Sequence, residues 1–347
     1  MKIINKKNIF FLLSVIITSF SVLFGCQKNT QPVSKTQIIL GTSCTIKLYD
    51  NISDETFEKV FNRLKEIEDK MSINKDKSEV IDINSAAGKD YVKVSDDTFE
   101  VIKKGIYYSS LYNKFDITIG PLVKLWNISF DNAVNARIPE DKEIKDRLPL
   151  VDYNKVLLNE SESKIMLKEK GMMIDLGGIA KGYAADEAVR ILKERGVQHA
   201  IVNLGGNVMT LGGRPDGSSW TIGVQHPFDD RGNYVGTVRV SDKTVVTSGI
   251  YERYIKVNDK IYHHILDKNT GYPVDNELLS VTIITDKSID GDGLSKIFAL
   301  GVEKGMELIK TLKGVDAIFI TKDNKIYISP SLKGNFQLTD NSFKLIE

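Results

Sequence analysis

Ile9 to Phe24 form an apolar run without a single charge, preceded by Lys2, Lys6 and Lys7 and closed by Leu23-Phe24-Gly25-Cys26. A positive start, a short apolar stretch and a small residue before the cut are the marks of an export signal. The run is short for a membrane span, and polar residues from Gln27 to Ser34 follow it at once. The ending reads as a bacterial lipobox, which implies cleavage ahead of Cys26 and a diacylglyceryl anchor on its thiol. Residues 1–25 are therefore expected to be signal peptide, 26–35 a lipidated Cys and polar tether, and 36–347 the folding domain. The expected location is the cell membrane, lipid-anchored on its extracytoplasmic face. Of the two cysteines only Cys44 is left to the domain, so no intrachain disulfide can staple it and the core must hold the fold.

The remainder is ordinary globular material. With 27% charged and 41% hydrophobic residues, 26 Gly and 8 Pro in 347 positions, collagen-like, disordered and coiled-coil classes are excluded. A net charge of +1 gives no basic field of the kind that non-specific nucleic-acid binding needs, so no nucleic-acid partner is expected. Gln37 to Tyr49 reads as a strand pair or one long strand interrupted at Gly41. Phe57, Val60, Phe61, Leu64, Ile67 and Met71 recur at helical spacing after Ser53, with Asp54 and Glu55 where a helix N-terminus favours acids. A second helix follows Ser95, and a third runs from about Lys181 to Gly196. Short strands dominate from Gln198 to Asp286: 199–204, 220–225, 235–240, 245–247, and 254–266 folded about Asn258-Asp259. A last helix from Gly293 to Leu312 precedes strands 317–321 and 325–329. Without a regular βαβ alternation the pattern predicts an α+β domain rather than a doubly wound sheet.

Four stretches carry chemistry. Met172 to Leu176 reads as a buried strand that Gly177-Gly178-Ile179-Ala180-Lys181-Gly182 turns into a helix. Such a turn presents backbone N–H groups to an anion, and Lys181 adds a charge beside them; a tight turn with a solvated lysine is the plainer alternative. Asn203-Leu204-Gly205-Gly206-Asn207 is a second glycine pair at a strand end, and two such turns on neighbouring strands would make one groove. His263 and His264 are adjacent, so on a strand they face opposite ways and make no metal pair; one packs and the other is free to work. Asp267 to Gly271 reads as a turn whose Asp and Thr bond the backbone. Asp290-Gly291-Asp292-Gly293-Leu294-Ser295-Lys296 begins the last helix, where carboxylates could cap it or ligate a hard cation.

In this order the stretches resemble the ApbE family of FAD:protein FMN transferases. The resemblance runs from Gly41-Thr42-Ser43, through Met71-Ser72, Ser78-Glu79-Val80 and Asn84, to Phe115-Asp116-Ile117-Thr118-Ile119-Gly120-Pro121-Leu122 with Trp126. It continues through Asp175 to Tyr183, Asn203 to Gly206, Thr247-Ser248-Gly249 with Tyr251 and Arg253, and His264 to Asp267 with Thr270, Gly271 and Pro273. It implies a single mixed α/β catalytic domain of the T-fold-like type. It also implies FAD as donor, FMN moved through a phosphoester to a Thr or Ser hydroxyl of an acceptor flavoprotein bearing a Thr-containing motif, and AMP as leaving group. By position in the family pattern, Leu40, Asn74, Phe115, Asp116, Asp175, Lys181 and Ile265 would line the FAD site. His264 is the candidate base or positioning group. Mg²⁺ would sit against Gly178 and Asp292, with Ser295 and Lys296 at the remaining position.

Two positions depart from the family pattern. Four residues beyond Asp292 the family usually has Thr, and this chain has Lys296. A protonated ammonium cannot ligate Mg²⁺, so Ser295 or a water fills the place, the lysine stands in for part of the cation, or the metal site is weakened. At Asn74 many members carry a Tyr able to stack on the flavin. Its loss admits water as a competitor, so FAD pyrophosphatase activity is the alternative, and a non-catalytic flavin-binding lipoprotein is a third reading.

Overall fold

The computed structural model describes residues 31–128, 137–258 and 260–346; the signal segment and Cys26 lie outside them. Among the described residues no helix is long and apolar enough to cross a membrane. The polar tether ends earlier than expected, because Val33 already pairs with Leu48.

Strands β1 (Val33–Ile39) and β2 (Thr42–Leu48) form a hairpin. Leu40 and Gly41 both take positive φ, +57° and +64°, the two-residue turn whose twist matches that of the strands it joins. Helices α1 (Asp54–Met71), α2 (Glu79–Ser85) and α3 (Asp96–Tyr112) follow, with the two-residue β3 (Val92–Lys93) before α3. Helix α1 buries the 57, 60, 61, 64, 67 and 71 stripe, as its spacing requires. Two short helices that the sequence pattern did not reveal come next, α4 (Gly120–Trp126) and α5 (Asp141–Arg147), and then the hairpin β4 (Val156–Asn159) and β5 (Lys164–Leu167). Met172 to Leu176, expected as a strand, is irregular. Only Met173 bridges Ile119, and Asp175 N–H donates to the Ile117 carbonyl at 2.8 Å, so the segment borrows its partners from the loop before α4.

Helix α6 (Ala180–Glu194) is followed by β6 (Ala200–Leu204), β7 (Asn207–Leu211), β8 (Trp220–Gln225), β9 (Tyr234–Val240) and β10 (Thr244–Gly249). The small hairpin β11 (Tyr254–Val257) and β12 (Lys260–His263) leads to β13 (Leu278–Thr285). The expected last helix is broken in three: α7 (Ser288–Leu294), a 3-10 turn at Ser295–Leu300, and α8 (Gly301–Thr311). Gly301 has φ +77°, and Val302 N–H donates to Glu277 Oε1 at 2.7 Å. A left-handed glycine and a side chain taking the next N–H end one helix and start another. Strands β14 (Asp316–Thr321), β15 (Lys325–Ile328), β16 (Phe336–Leu338) and β17 (Lys344–Ile346) complete the chain.

Nine strands make one sheet in the order β1-β2-β6-β7-β10-β13-β14-β15-β17, antiparallel except for β15 with β17. Its two faces are covered differently. In β14, Ala317 and Phe319 point into the core shared with the helices, while Ile318 and Ile320 point into a second core with Trp220, Val224 and Val238 of the β16-β9-β8 sheet. That period of two is what a sheet buried on both sides demands. The architecture is mixed α/β with an antiparallel sheet, the α+β class expected.

Candidate active site

Helix α6 meets α7 at Gly182, where a Cβ would strike the carbonyl of Ser288. The bare backbone permits the contact, and the Gly182 N–H donates to Asp292 Oδ2 at 3.0 Å. Asp292 is 2% exposed and lies within α7 rather than at its start. The capping reading of this stretch therefore fails. The first N–H groups of α7, those of Ser288 and Ile289, instead donate to the carboxylate of Asp186 on α6 at 2.7 and 2.9 Å. Asp290 is engaged elsewhere, by the Tyr108 hydroxyl at 2.7 Å and Lys104 at 2.9 Å.

Lys296 projects from the turn after α7 into a cage of oxygens. Its ammonium donates to Ser295 Oγ at 2.8 Å, Ser248 Oγ at 3.2 Å and the Asp292 carbonyl at 3.2 Å, and lies 3.6 Å from Asp292 Oδ1. Ser248 donates in turn to Ser295 at 2.8 Å, and Ser295 to the Asp292 carbonyl at 2.7 Å. Burial pulls the lysine down to about 8 against the opposing pull of Asp292. The stem of Lys296 lies over the glycine turn: a Cβ at Gly178 would be 3.1 Å from its Cε and 3.0 Å from Phe115 Cε2. Serine, carboxylate and carbonyl oxygens are the donors a hard cation takes. An ammonium already fills the space between them, however, and it has three protons to give and no lone pair. With Lys296 so placed, Gly178, Asp292, Ser295 and Lys296 do not fit Mg²⁺. Nor do three or more His, Cys, Asp or Glu side chains gather as a metal site elsewhere among the described residues.

The two histidines divide as their alternation requires. His263 is buried, with Nε2 2.9 Å from the Val274 carbonyl and Nδ1 accepting from the Ile265 N–H at 3.3 Å. Burial lowers it to about 4, and its role is packing. His264 is half-buried, its Nδ1 3.1 Å from the Arg253 carbonyl. A carbonyl only accepts, so Nδ1 carries the proton and Nε2 the lone pair. Burial, and next the Arg253 charge, hold its pKa well below the ordinary histidine value, so the ring is neutral at physiological pH. Arg253 also acts on Asp175, and Lys181 and Arg253 both act on Lys296. Arg253 and Lys296 thus act on a neutral imidazole, Lys181 acts on Lys296, and the acids that act on these cations are Asp175, Glu252 and Asp292.

Residues 40–319 match the ApbE family. The chain belongs to that family. The FAD:protein FMN transferase of Klebsiella pneumoniae (strain 342) is 40% identical over 317 residues, covering 90% of this chain and 97% of that protein. Among solved structures, the ApbE protein of Thermotoga maritima has a TM-score of 0.79 at 31% identity, over 88% of this chain and 99% of that one. Flavin transferase ApbE from Vibrio cholerae has a TM-score of 0.78 at 27% identity, with the same coverage of 88% and 99%.

The residues that the ApbE pattern assigned to the flavin spread over a wider area than the Lys296 cage. Phe115 packs on Gly178, and Asp175 Oδ1 accepts the Gly177 N–H at 2.7 Å. Lys181 reaches back to the Gly177 carbonyl at 3.3 Å. Ile265 is buried beside the histidines. Leu40 sits in the β1–β2 turn, next to the Gly205-Gly206 turn through the Gly205 N–H to Ser43 carbonyl bond of 3.0 Å. That second glycine pair closes on itself, Gly206 N–H donating to Asn203 Oδ1 at 2.9 Å, so it is a hairpin turn and not a phosphate cradle. Asn74 is exposed and accepts from Lys124 at 3.0 Å. Asp116 is turned inward. It takes the Thr118 N–H and hydroxyl at 2.9 and 2.6 Å and the Tyr153 N–H at 3.2 Å, with Lys268 at 3.5 Å. Asp267 keeps its turn role, bonding Asn269 N–H at 2.7 Å, and pairs with Lys114 at 3.1 Å. Sequence reasoning assigned no role to Ser248 or Arg253. Both lie in the Thr247 to Arg253 stretch of the family pattern, the only signal that marked them.

Proposed function

We propose that this chain transfers FMN from FAD to a Thr or Ser hydroxyl of an acceptor flavoprotein. The observation that carries the reading is a neutral His264 beside Arg253 and Lys296, with Lys181 acting on Lys296, in a chain whose relatives carry that activity in their names. The acceptor oxygen attacks the FMN phosphorus, the anhydride bond between the two phosphorus atoms breaks, and AMP leaves with the bridging oxygen. The hydroxyl proton passes to His264 Nε2. The cations offset the charge of the diphosphate, most of all on the leaving oxygen. Phe115 and Ile265 supply apolar surface for the flavin end. A short Thr-containing motif on a membrane-linked acceptor fits the proposed lipid anchor at Cys26, which holds the enzyme on the outer face of the membrane. Cys26→Ala should leave unprocessed precursor or release the protein from the membrane fraction.

Purified chain incubated with FAD, with and without an acceptor domain, tests the reading. AMP together with flavinylated acceptor is the expected outcome. The exposed, non-aromatic Asn74 supports the second reading, FAD hydrolysis, which would yield AMP and free FMN whether or not the acceptor is present. Neither product would leave a flavin-binding lipoprotein.

A further inference from the structure

We propose that the Lys296 ammonium is the resident cation of this site, held in the oxygen cage where a divalent ion would otherwise sit, so that the flavin diphosphate binds without a divalent metal. The identity of the ligand rests on the flavin reading above; the claim about the cage does not. The cage is built to the dimensions of an ammonium. Its closest N···O distances of 2.8, 3.2 and 3.2 Å are hydrogen-bond lengths, whereas Mg²⁺ demands oxygens at about 2.1 Å in near-octahedral array. The oxygens are also directed toward donors: Ser248 donates to Ser295 and Ser295 to the Asp292 carbonyl, a chain that leaves lone pairs facing Lys296.

Charge points the same way. Among the described residues Asp292 is the carboxylate paired with the ammonium, and its other oxygen is taken by the Gly182 N–H. A single positive charge matches it. A divalent ion added beside Lys296, on which Lys181 and Arg253 also act, would meet the repulsion of the ammonium at contact distance. The lysine is not a passing surface side chain either, because only 19% of it is exposed and its stem is packed over Gly178. The site would thus read the diphosphate with protein cations alone, and Lys296 would be a specificity determinant for metal-free substrate.

The test uses the full chain and Mn²⁺ alone as probe, followed by electron paramagnetic resonance. Wild type should bind Mn²⁺ at least 30-fold more weakly than Lys296→Thr, which removes the ammonium and offers a hydroxyl oxygen. Flavin fluorescence should then give a wild-type affinity for FAD that agrees within about twofold in Mg²⁺ and in EDTA. Lys296→Thr should bind FAD at least tenfold more weakly in EDTA and recover in Mg²⁺. One Mn²⁺ per wild-type chain, bound as tightly as by Lys296→Thr and lost in Asp292→Ala, would overturn the proposal. So would wild-type FAD binding that collapses in EDTA, and both of those wild-type arms stand even if a variant fails to fold. If wild type bound FAD under neither condition the flavin reading would fail, while the Mn²⁺ comparison would still decide the role of the lysine.

Discussion

Two clusters of partly buried charge meet α6 (Ala180–Glu194) and serve opposite ends. Toward its middle, Tyr183 and Glu187 join Arg63, Glu66 and Lys70 of α1 and Asp97 of α3. Arg63 pairs with Asp97 at 2.6 Å, Glu66 at 2.8 Å and Glu187 at 2.9 Å, and Lys70 with Asp97 at 2.7 Å. Burial pushes the Asp97 carboxyl up, yet hydrogen bonds from Arg63, Lys70 and Tyr183 outweigh it and hold it well below the usual range. With Arg190 on Glu187 at 2.8 Å and on Glu194 at 2.6 Å, three cations meet four acids and each cation is paired to a carboxylate. Around the start of the helix, Lys296 pairs with Asp292 at 3.6 Å, Arg253 feels the charges of Asp175 and Glu252, and Lys181 rests on the Gly177 carbonyl at 3.3 Å. A balanced network, each cation paired to a carboxylate, is complete in itself and holds three helices together; an unbalanced one, in which Lys181 lies on a backbone carbonyl, has a charge that an anion from outside can take up. The difference in pairing separates a structural cluster from a binding one, and composition alone, with a net charge of +1, conceals it.

The largest effect expected from breaking this contrast is on the unbalanced side. His264→Ala should slow AMP release by about 10²- to 10⁴-fold, the usual share of a general base, with FAD affinity changed far less. In wild type the protonated ring cannot accept the hydroxyl proton. Since burial depresses its pKa, the acid limb of the rate profile should fall below about 6.5 and vanish in the variant. A limb at or above that pH would remove His264 from the role of base.

On the balanced side the effect is on stability. Arg63→Met leaves Asp97 and Glu187 with fewer partners at 17% and 14% exposure. Breaking such a pair from one side costs about 3–5 kcal/mol, less here to the extent that Lys70 and Arg190 remain. Denaturant unfolding should show that loss, while turnover per folded molecule is retained. Lost turnover at unchanged stability would mean that the two clusters are not separable.

How far the sequence foretold this division varies with how local the cause is. Helix α1 was legible because Phe57 to Met71 repeat at the period of the structure they make. So was the split of His263 from His264, which follows from alternation. The break at Gly301 was not, because it depends on Glu277, 24 positions earlier in the chain, taking the Val302 N–H. Met172 to Leu176 was apolar enough to read as a strand, but burial and not pairing is what its residues serve. In the site, the family pattern singled out Asp292 and Lys296 as a departure from the usual Asp and Thr. It could not say where the ammonium points. That is fixed by Ser248 on β10 and by the bare backbone of Gly178 and Gly182, none of which a linear motif connects to α7.

Asp186 offers the smallest effect and the sharpest question, since it holds the start of α7, and with it Asp292, through backbone partners alone. Burial raises its pKa from 3.8 to about 6, more than the Ile289 and Ser288 N–H bonds lower it. A carboxyl whose folded value exceeds its unfolded one binds its proton more tightly in the folded state. Its contribution is therefore present at low pH and lost as pH rises through about 6. The shift corresponds to at most about 3 kcal/mol. Asp186→Asn resembles the protonated acid and should flatten that part of the stability profile, matching wild type near pH 4 and equalling or exceeding it at pH 7. Against this stands the partial positive charge at a helix N-terminus, worth about 0.3–1 kcal/mol to an anion and up to about 2 in a partly buried place. If that attraction governs, wild type will lose stability relative to Asp186→Asn as the pH drops below 4, and the slope will carry the opposite sign. Thermal unfolding of the two proteins between about pH 2 and 7 measures the slope directly and shows whether a buried acid with only backbone partners belongs with the balanced cluster or apart from it.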